Sequence, residues 1–338
     1  MERSIVQKLI RKSPLITVVF LLLSSMVAAQ TRRPAPPPAS AITSYLPASD
    51  AVAIIDVKRA LNETMPGILG GDAAKLAQAN AEIDKFKTKT GVDLRSVDRF
   101  AISVRYVYPS PQTTKLDTVG IGHGNFNPSA VTASVRQAGN GQAREEKYRG
   151  ATITIINVND NVKMFGVWDM HVGELAVCVL DQNTIALGEV PTVRSAIDAG
   201  KAGRAPAALV ALATHDPVAV AGFGANITPE LLAKIDLGND TLAKDVSSIK
   251  QAYGSLRSGE GNVAVTLVAR TDSVAAAKNL SDTLQELRNL GGLLLARMTE
   301  PRKSLAESAL NNLKVTARET ELEIRTQVTA ASLAALIK

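Results

Sequence analysis

From Ala51 onward the apolar residues fall into short β-branched runs that arrive in neighbouring pairs, with only a tight polar or glycine-bearing turn between partners. Two strands joined by so few residues can only return antiparallel, because a parallel return needs a crossover of a dozen residues or more. Helical stretches separate the pairs, but the regular strand–helix alternation of a parallel sheet is missing. The pattern therefore predicts an α+β fold: two similar domains of mainly antiparallel sheet, with helices packed on one face.

The same order of elements occurs twice. In the first half a strand over Val52–Val57 leads to a helix over Asp72–Lys89, whose face is Leu76, Ala79, Ile83 and Phe86. Strands over Arg99–Val107 and Thr118–Gly124 follow, then a helix opened by Asn127-Pro128, a cap followed by proline at the first helical position. The second half offers a strand near Val218–Phe223, helical segments through about Lys250, strands over Ala252–Leu256 and Asn262–Ala269, and a helix capped by Asp272-Ser273 and stopped by Gly291-Gly292. Leu46-Pro47-Ala48-Ser49-Asp50-Ala51-Val52-Ala53 and Leu212-Ala213-Thr214-His215-Asp216-Pro217-Val218-Ala219 share Leu, Asp, Val and Ala at equal offsets, which points to an internal duplication. The first half then continues into a four-stranded meander with turns at Asn159-Asp160-Asn161, Gly173-Glu174 and Asp181-Gln182-Asn183, and the second ends in a hairpin over 314–326. The charged run Arg144–Arg149 reads as a wet loop. The boundaries that follow are 46–203 for the first domain and 206–338 for the second.

The first 29 residues have the layout of a secretory leader: Arg3, Lys8, Arg11 and Lys12, an apolar run from Pro14 to Leu23, and small residues before a cut after Ala29. The proline-rich stretch over 30–45 then serves as a tether. Export to the periplasm or the exterior is the expectation; retention of residues 5–29 as a membrane anchor is the alternative. The leader holds four basic groups and one acidic group, so without it 34 basic face 31 acidic residues and the net charge falls from +6 to +3. So small an excess argues against a nucleic-acid partner. The 338 residues include one cysteine, which excludes an intramolecular disulfide and any multi-thiolate zinc site. Cys178 lies in the apolar run Leu175–Leu180, the setting of a structural thiol.

The phrases LPASDAVAIIDV, GNFNPSAVTASVRQAG, ATITIINV and ELEIRTQVTAASLAALIK resemble a class of uncharacterised exported bacterial proteins with duplicated α+β domains of unknown function. The resemblance spans residues 46–338 and implies the architecture; it brings no catalytic residues with it.

Complete catalytic or cofactor motifs are missing from the sequence. His123, His171 and His215 are more than forty residues apart and offer no local metal-ligand spacing. Gly120, Gly122 and Gly124 alternate and are followed by Asn127-Pro128, which fits neither a phosphate loop nor a dinucleotide fingerprint; close approach of another backbone explains them better. Asn157-x-Asn159-x-Asn161 and Asp236-x-Gly238-x-Asp240 lack the later ligands of a calcium loop. Ser247-Ser248-Ile249-Lys250 and Lys89-Thr90-Gly91 mimic fragments of penicillin-recognising enzymes, in reversed order and without the third motif. Neither a catalytic residue, a cofactor nor a metal is expected. Trp168 and His171, flanking a turn, are the candidate binding residues. The expected function is that of an exported, non-enzymatic binding or structural protein of the cell envelope, with an unknown protein or hydrophobic ligand as partner. The alternatives are a hydrolase whose active site assembles only in the fold, or a carrier of lipid or another hydrophobic ligand.

Overall fold

The computed structural model describes residues 40–338 apart from 111–112, 165–167, 203–205, 234–239, 260, 296–297 and 337–338; side chains at 40–41, 160–172, 202, 240–241 and 290–294 are likewise not described. The expected leader and the tether up to residue 39 lie outside the described residues. The strands are β1 (Ala51–Asp56), β2 (Val97–Ser110), β3 (Thr113–Gly124), β4 (Arg144–Tyr148), β5 (Ala151–Met164), β6 (Trp168–Asp181), β7 (Thr184–Gly188), β8 (Ala221–Asn226), β9 (Ile249–Gly259), β10 (Asn262–Thr271), β11 (Lys314–Arg318) and β12 (Glu321–Thr329). They form one sheet in the order β11-β12-β10-β9-β8-β1-β2-β3-β7-β6-β5-β4, and every neighbouring pair is antiparallel. The α+β class with a large antiparallel sheet is therefore as the sequence pattern predicts.

The helices used below are α1 (Ser40–Thr43), α2 (Val57–Arg59), α3 (Met65–Leu69), α4 (Ala73–Thr90), α5 (Pro128–Ala138), α6 (Val190–Ala202), α7 (Ala207–Ala213), α8 (Pro229–Leu232), α9 (Asp240–Ser247), α10 (Val274–Leu295), α11 (Arg302–Asn311) and α12 (Ala330–Ala334). Their starts follow local chemistry. The Asp72 carboxylate accepts from Lys75 N at the head of α4, and Asn127 does the same for Ala130 N at the head of α5. Gly91 closes α4 in the left-handed conformation, with Lys87 and Lys89 in its last turn.

The two halves of the chain meet at β1 and β8, from Ala51 opposite Ala225 to Ile55 opposite Ala221. Outward from this joint one side runs β1-β2-β3 and the other β8-β9-β10, the first step of each passing through helices and the second returning directly. Opposite Val52 and Ile54, strand β8 carries Gly224 and Gly222. A Cβ on Gly222 would stand 2.1 Å from Ala213 O, and one on Gly224 would stand 2.8 Å from Leu209 O. Helix α7 thus lies directly on the β8 backbone, a distance only glycine permits.

Helices cover both faces of the first half rather than the one face expected. The reason is in the strands: Ile153, Ile155, Ala176, Cys178 and Ala186 pack with Val193, Ile197 and Leu209 of α6 and α7, while the alternate residues Ile156, Val177, Ile185 and Leu187 pack with Val135 of α5 and Phe86 of α4. Strands apolar on both sides need cover on both. In the second half α9–α12 share the face occupied by α3 and α4, where Leu256, Val263 and Val328 meet Leu333 and Ile68, and Ala269 and Leu322 meet Leu280. The opposite face of β9, β10 and β12 beyond α7 carries Gln251, Tyr253, Arg257, Arg270, Glu321 and Glu323 and stays open.

Three further expectations are corrected. Asn159-Asp160-Asn161 and Gly173-Glu174 are not turns but lie within β5 and β6, which pair as a long two-stranded ribbon; Asn159, at φ 35°, is absorbed where the register shifts between Asn157 and Asp160. Arg144–Tyr148 is an edge strand rather than a loop, since its charges find partners beside the sheet: Arg136 with Glu145, Arg144 with Glu174, and Arg194 with Glu146. Gly291-Gly292 does not stop α10, which runs on to Leu295; each glycine costs about 1 kcal/mol relative to alanine in a helix, and the surrounding leucines are strong helix formers.

Gly222→Ala forces α7 away from β8 at the joint of the two halves. The variant is expected to lose about 1–3 kcal/mol of stability, read as a lower denaturation midpoint in urea, whereas alanine at the open position Gly259 leaves the midpoint within ~0.5 kcal/mol of wild type.

Candidate functional site

A concavity lies at the far end of the second half, where α10 and the end of α11 stand over β10, β12 and β11. It is an open recess of about 730 Å³ lined by Val265, Gln285, Arg288, Asn312, Lys314 and Thr326 with their neighbours. That volume is within the range of small-ligand sites, roughly 300–1,000 Å³. Register puts Val265 opposite Thr326 on the helix-covered face, with Val315 opposite Ile324. The strand β11 is short, so the loop Asn311–Leu313 rather than a strand closes this corner of the sheet.

Several lining groups are held in place by the fold. Asn312 Nδ2 donates to Ser308 O at 2.9 Å and to Gln327 O at 3.2 Å, and the Thr326 hydroxyl donates to Ala309 O at 2.5 Å. Arg325 is held by Glu323 at 2.7 Å. The lining contains Arg288, Lys314 and Arg325 and no carboxylate. Arg288 and Lys314 come from different elements, α10 and β11, and both are exposed.

A second polar cluster lies on the open face near the joint. Asp216, 8% exposed, accepts from Arg257 Nη2 at 2.7 Å, from Arg257 Nε, and from the Ser255 hydroxyl at 2.8 Å. Burial alone would raise this carboxyl, but the bonds from Arg257 and Ser255 outweigh it and hold it below the usual carboxylate range. Next to it His215 meets Tyr253 edge-on at 4.9 Å between centroids, and Arg270, 5.7 Å above the Tyr253 ring, is paired with Glu321 at 2.8 Å. Every group in this cluster is engaged, so it pins the segment after α7 onto β9.

The residues singled out from sequence are scattered. His215 Nδ1 stands 2.9 Å from Leu212 O. His123 Nδ1 stands 3.3 Å from the Thr184 hydroxyl, near Asp181, which accepts from Tyr45 Oη at 2.9 Å. Thr184 is 1% exposed, so its hydroxyl is out of reach of a substrate. Burial beside Asp181 pushes the Tyr45 phenol up to about 12. Cys178 is fully buried, and burial pushes its thiol up to about 11, leaving no thiolate nucleophile at neutral pH. The glycine stretch of β3 accommodates the Phe100 ring, whose Cζ lies 2.2 Å from where a Cβ of Gly120 would be, while Gly124 makes the close backbone approach, to Ser96 O. The Ser247 hydroxyl donates to Lys244 O and the Thr90 hydroxyl to Phe86 O, both within helix ends. Asp236 and Gly238 lie outside the described residues. So do the side chains of Trp168 and His171; their backbones pair with Met164 and Asn161 in the ribbon. Among the described residues no three His, Cys, Asp or Glu side chains converge as metal ligands, and no helix is long and apolar enough to cross a membrane.

The groups lining the cavity were invisible to motif reading because they are ordinary Arg, Lys, Asn and Thr residues from four elements. Of this corner only the hairpin over 314–326 was legible in the sequence.

Arg257→Ala leaves Asp216 buried with fewer donors. A loss of about 1–3 kcal/mol is expected at pH 7. Because the folded carboxyl is depressed, its contribution is complete above the unfolded value near 3.9 and disappears as pH falls through the lower folded value. Urea titrations at a series of pH values are therefore expected to show the gap between wild type and variant closing below about pH 4.

No protein-family description matches the chain, and no curated protein matches it significantly. Among solved structures it is similar to TP0453. Crystal form III of that protein is matched at 12% identity and a TM-score of 0.45, over 88% of this chain and 96% of the other; crystal form IV is matched at 11% and 0.46, over 88% and 95%.

Proposed function

We propose that this chain is an exported, non-enzymatic binding protein of the cell envelope whose ligand occupies the cavity between α10, α11 and the β10–β12–β11 corner. The observation that carries the reading is the cavity itself: about 730 Å³, lined by residues of two helices and three strands. Support for export comes from the leader-like residues 1–29. The equal order of strands on either side of the β1–β8 joint supports descent from one duplicated unit, with the cavity arising where the second copy adds α11 before its final hairpin. In this reading the buried Cys178, the inward-bonded Thr184 and the engaged Asp216 cluster are structural parts of a rigid scaffold.

Gln285 is an exposed α10 residue at the cavity wall, so Gln285→Trp fills the space from the helix side without touching the core. Native mass spectrometry of the full chain recovered from its own envelope fraction is expected to show a small-molecule adduct in wild type that is absent in the variant, at unchanged melting temperature. An adduct of equal intensity in both, or none in wild type, overturns the assignment.

A further inference from the structure

We infer that the outer part of the β5–β6 ribbon is a dimerisation surface, whose apolar face stacks on the same face of a second copy of this chain. The inference is independent of the cavity. Strand β4 pairs with β5 only as far as Ile155, and β7 pairs with β6 only from Ala176 onward. Past these points β5 and β6 pair with each other alone among the described residues. Asn157 stands opposite Glu174 but Asp160 opposite Val172, so the register slips and two residues of β5 face one of β6. That extra residue decides which residues share a face. Directly opposite residues of an antiparallel pair lie on one side of the ribbon, and the sides alternate along each strand. After the slip Val162 is opposite Met170 and Met164 opposite Trp168, which puts both pairs, with Val172, on one face. Asn161, Lys163, Asp169 and His171 share the other. Without the slip Val162 and Met164 would fall on the face of Asp169 and His171, and neither side would be apolar.

This face is a patch of its own rather than the rim of the core. It continues the side of β5 and β6 that packs with Val193 of α6 at Ile155 and Ala176. Between them stands the exposed pair Asn157 and Glu174, with Glu174 bonded to Arg144. A bilayer is a poor occupant, because hydrocarbon would strip water from the outward N–H and C=O groups of two strands that have no third beside them. Two ribbons stacked as sheets pack, about 10 Å apart, cover their faces and leave those edges wet. Five residues of this size bury on the order of 500 Å² per copy, so two copies reach about 1,000 Å², the lower bound for a specific interface. The one charge on the face, Asp160, stands at its base. With the tip of one ribbon over the base of the other, the two Asp160 positions lie at opposite ends of the contact, and nothing in its charge keeps the copies apart. A twofold axis makes such a contact self-complementary and closed. It uses neither margin of the sheet, where β4 and β11 carry charge.

Sedimentation velocity of the chain recovered from its own envelope fraction, over an about hundredfold range of concentration, reads the oligomeric state. Wild type is expected to dimerise, W168S and M170K to weaken the dimer by at least about tenfold, and K163S on the opposite face to leave it unchanged, with melting temperatures unaltered. A wild type that stays monomeric throughout, or a dimer as strong in W168S and M170K as in wild type, overturns the inference. Flotation with phosphatidylcholine vesicles tests the rival occupant: a monomeric wild type that floats, beside a W168S that does not, assigns the face to lipid and likewise overturns it. Q285W, altered only at the cavity, is expected to dimerise like wild type, so the ligand site and the dimer stand or fall separately.

Discussion

The antiparallel pairing of β1 with β8 is the contact on which the rest of the molecule depends. It joins strands that are about 170 positions apart in sequence, and it turns what would be two small sheets into one of twelve strands. Its geometry is set by two missing side chains. With Gly222 and Gly224 in β8, helix α7 settles onto the strand while Val52 and Ile54 across the joint bury against Leu209 and Ala213. The short helix is the linker between halves, so the segment that connects them also seals their seam. The Asp216 cluster immediately after α7 then fastens the chain to β9 before β8 begins.

Coverage of the sheet is uneven, and the unevenness locates the candidate site. The first half is sandwiched between α1, α6 and α7 on one side and α4 and α5 on the other. The second half has its helices on one side only, leaving a polar face that is solvated without any unmet hydrogen-bonding need, as antiparallel sheets allow. Past the last full-length strand α10 and the end of α11 stand over the short β11, and the recess lies there.

Much of this fold was legible from residue order. Helix starts at Asp72 and Asn127 were marked by capping residues, and paired strands with tight turns implied an antiparallel sheet. Misreadings came where a local signal was overridden. Asn159 looked like a turn residue, yet a bulge absorbs its positive φ and the strand goes on. The alternating charges at 144–149 looked solvated, yet an edge strand tolerates them because one side of it faces water. Helices were expected on one face only, although Ile155-Ile156 and Ala176-Val177-Cys178 place apolar residues on both faces of these strands. The cavity could not be read at all: its residues carry no motif, and only tertiary placement brings α10, the end of α11 and the β10–β12–β11 corner together.

The two ends of the sheet are its shortest and most charged strands, β4 with the sequence REEKY and β11 with KVTAR. A second molecule adding its own strand at β4 would have to displace the ion pairs to Arg136, Glu174 and Arg194, and at β11 it would meet lysine and arginine. A sheet this wide is in principle a template for endless lateral growth. Here both margins carry charge, which opposes such edge-to-edge addition.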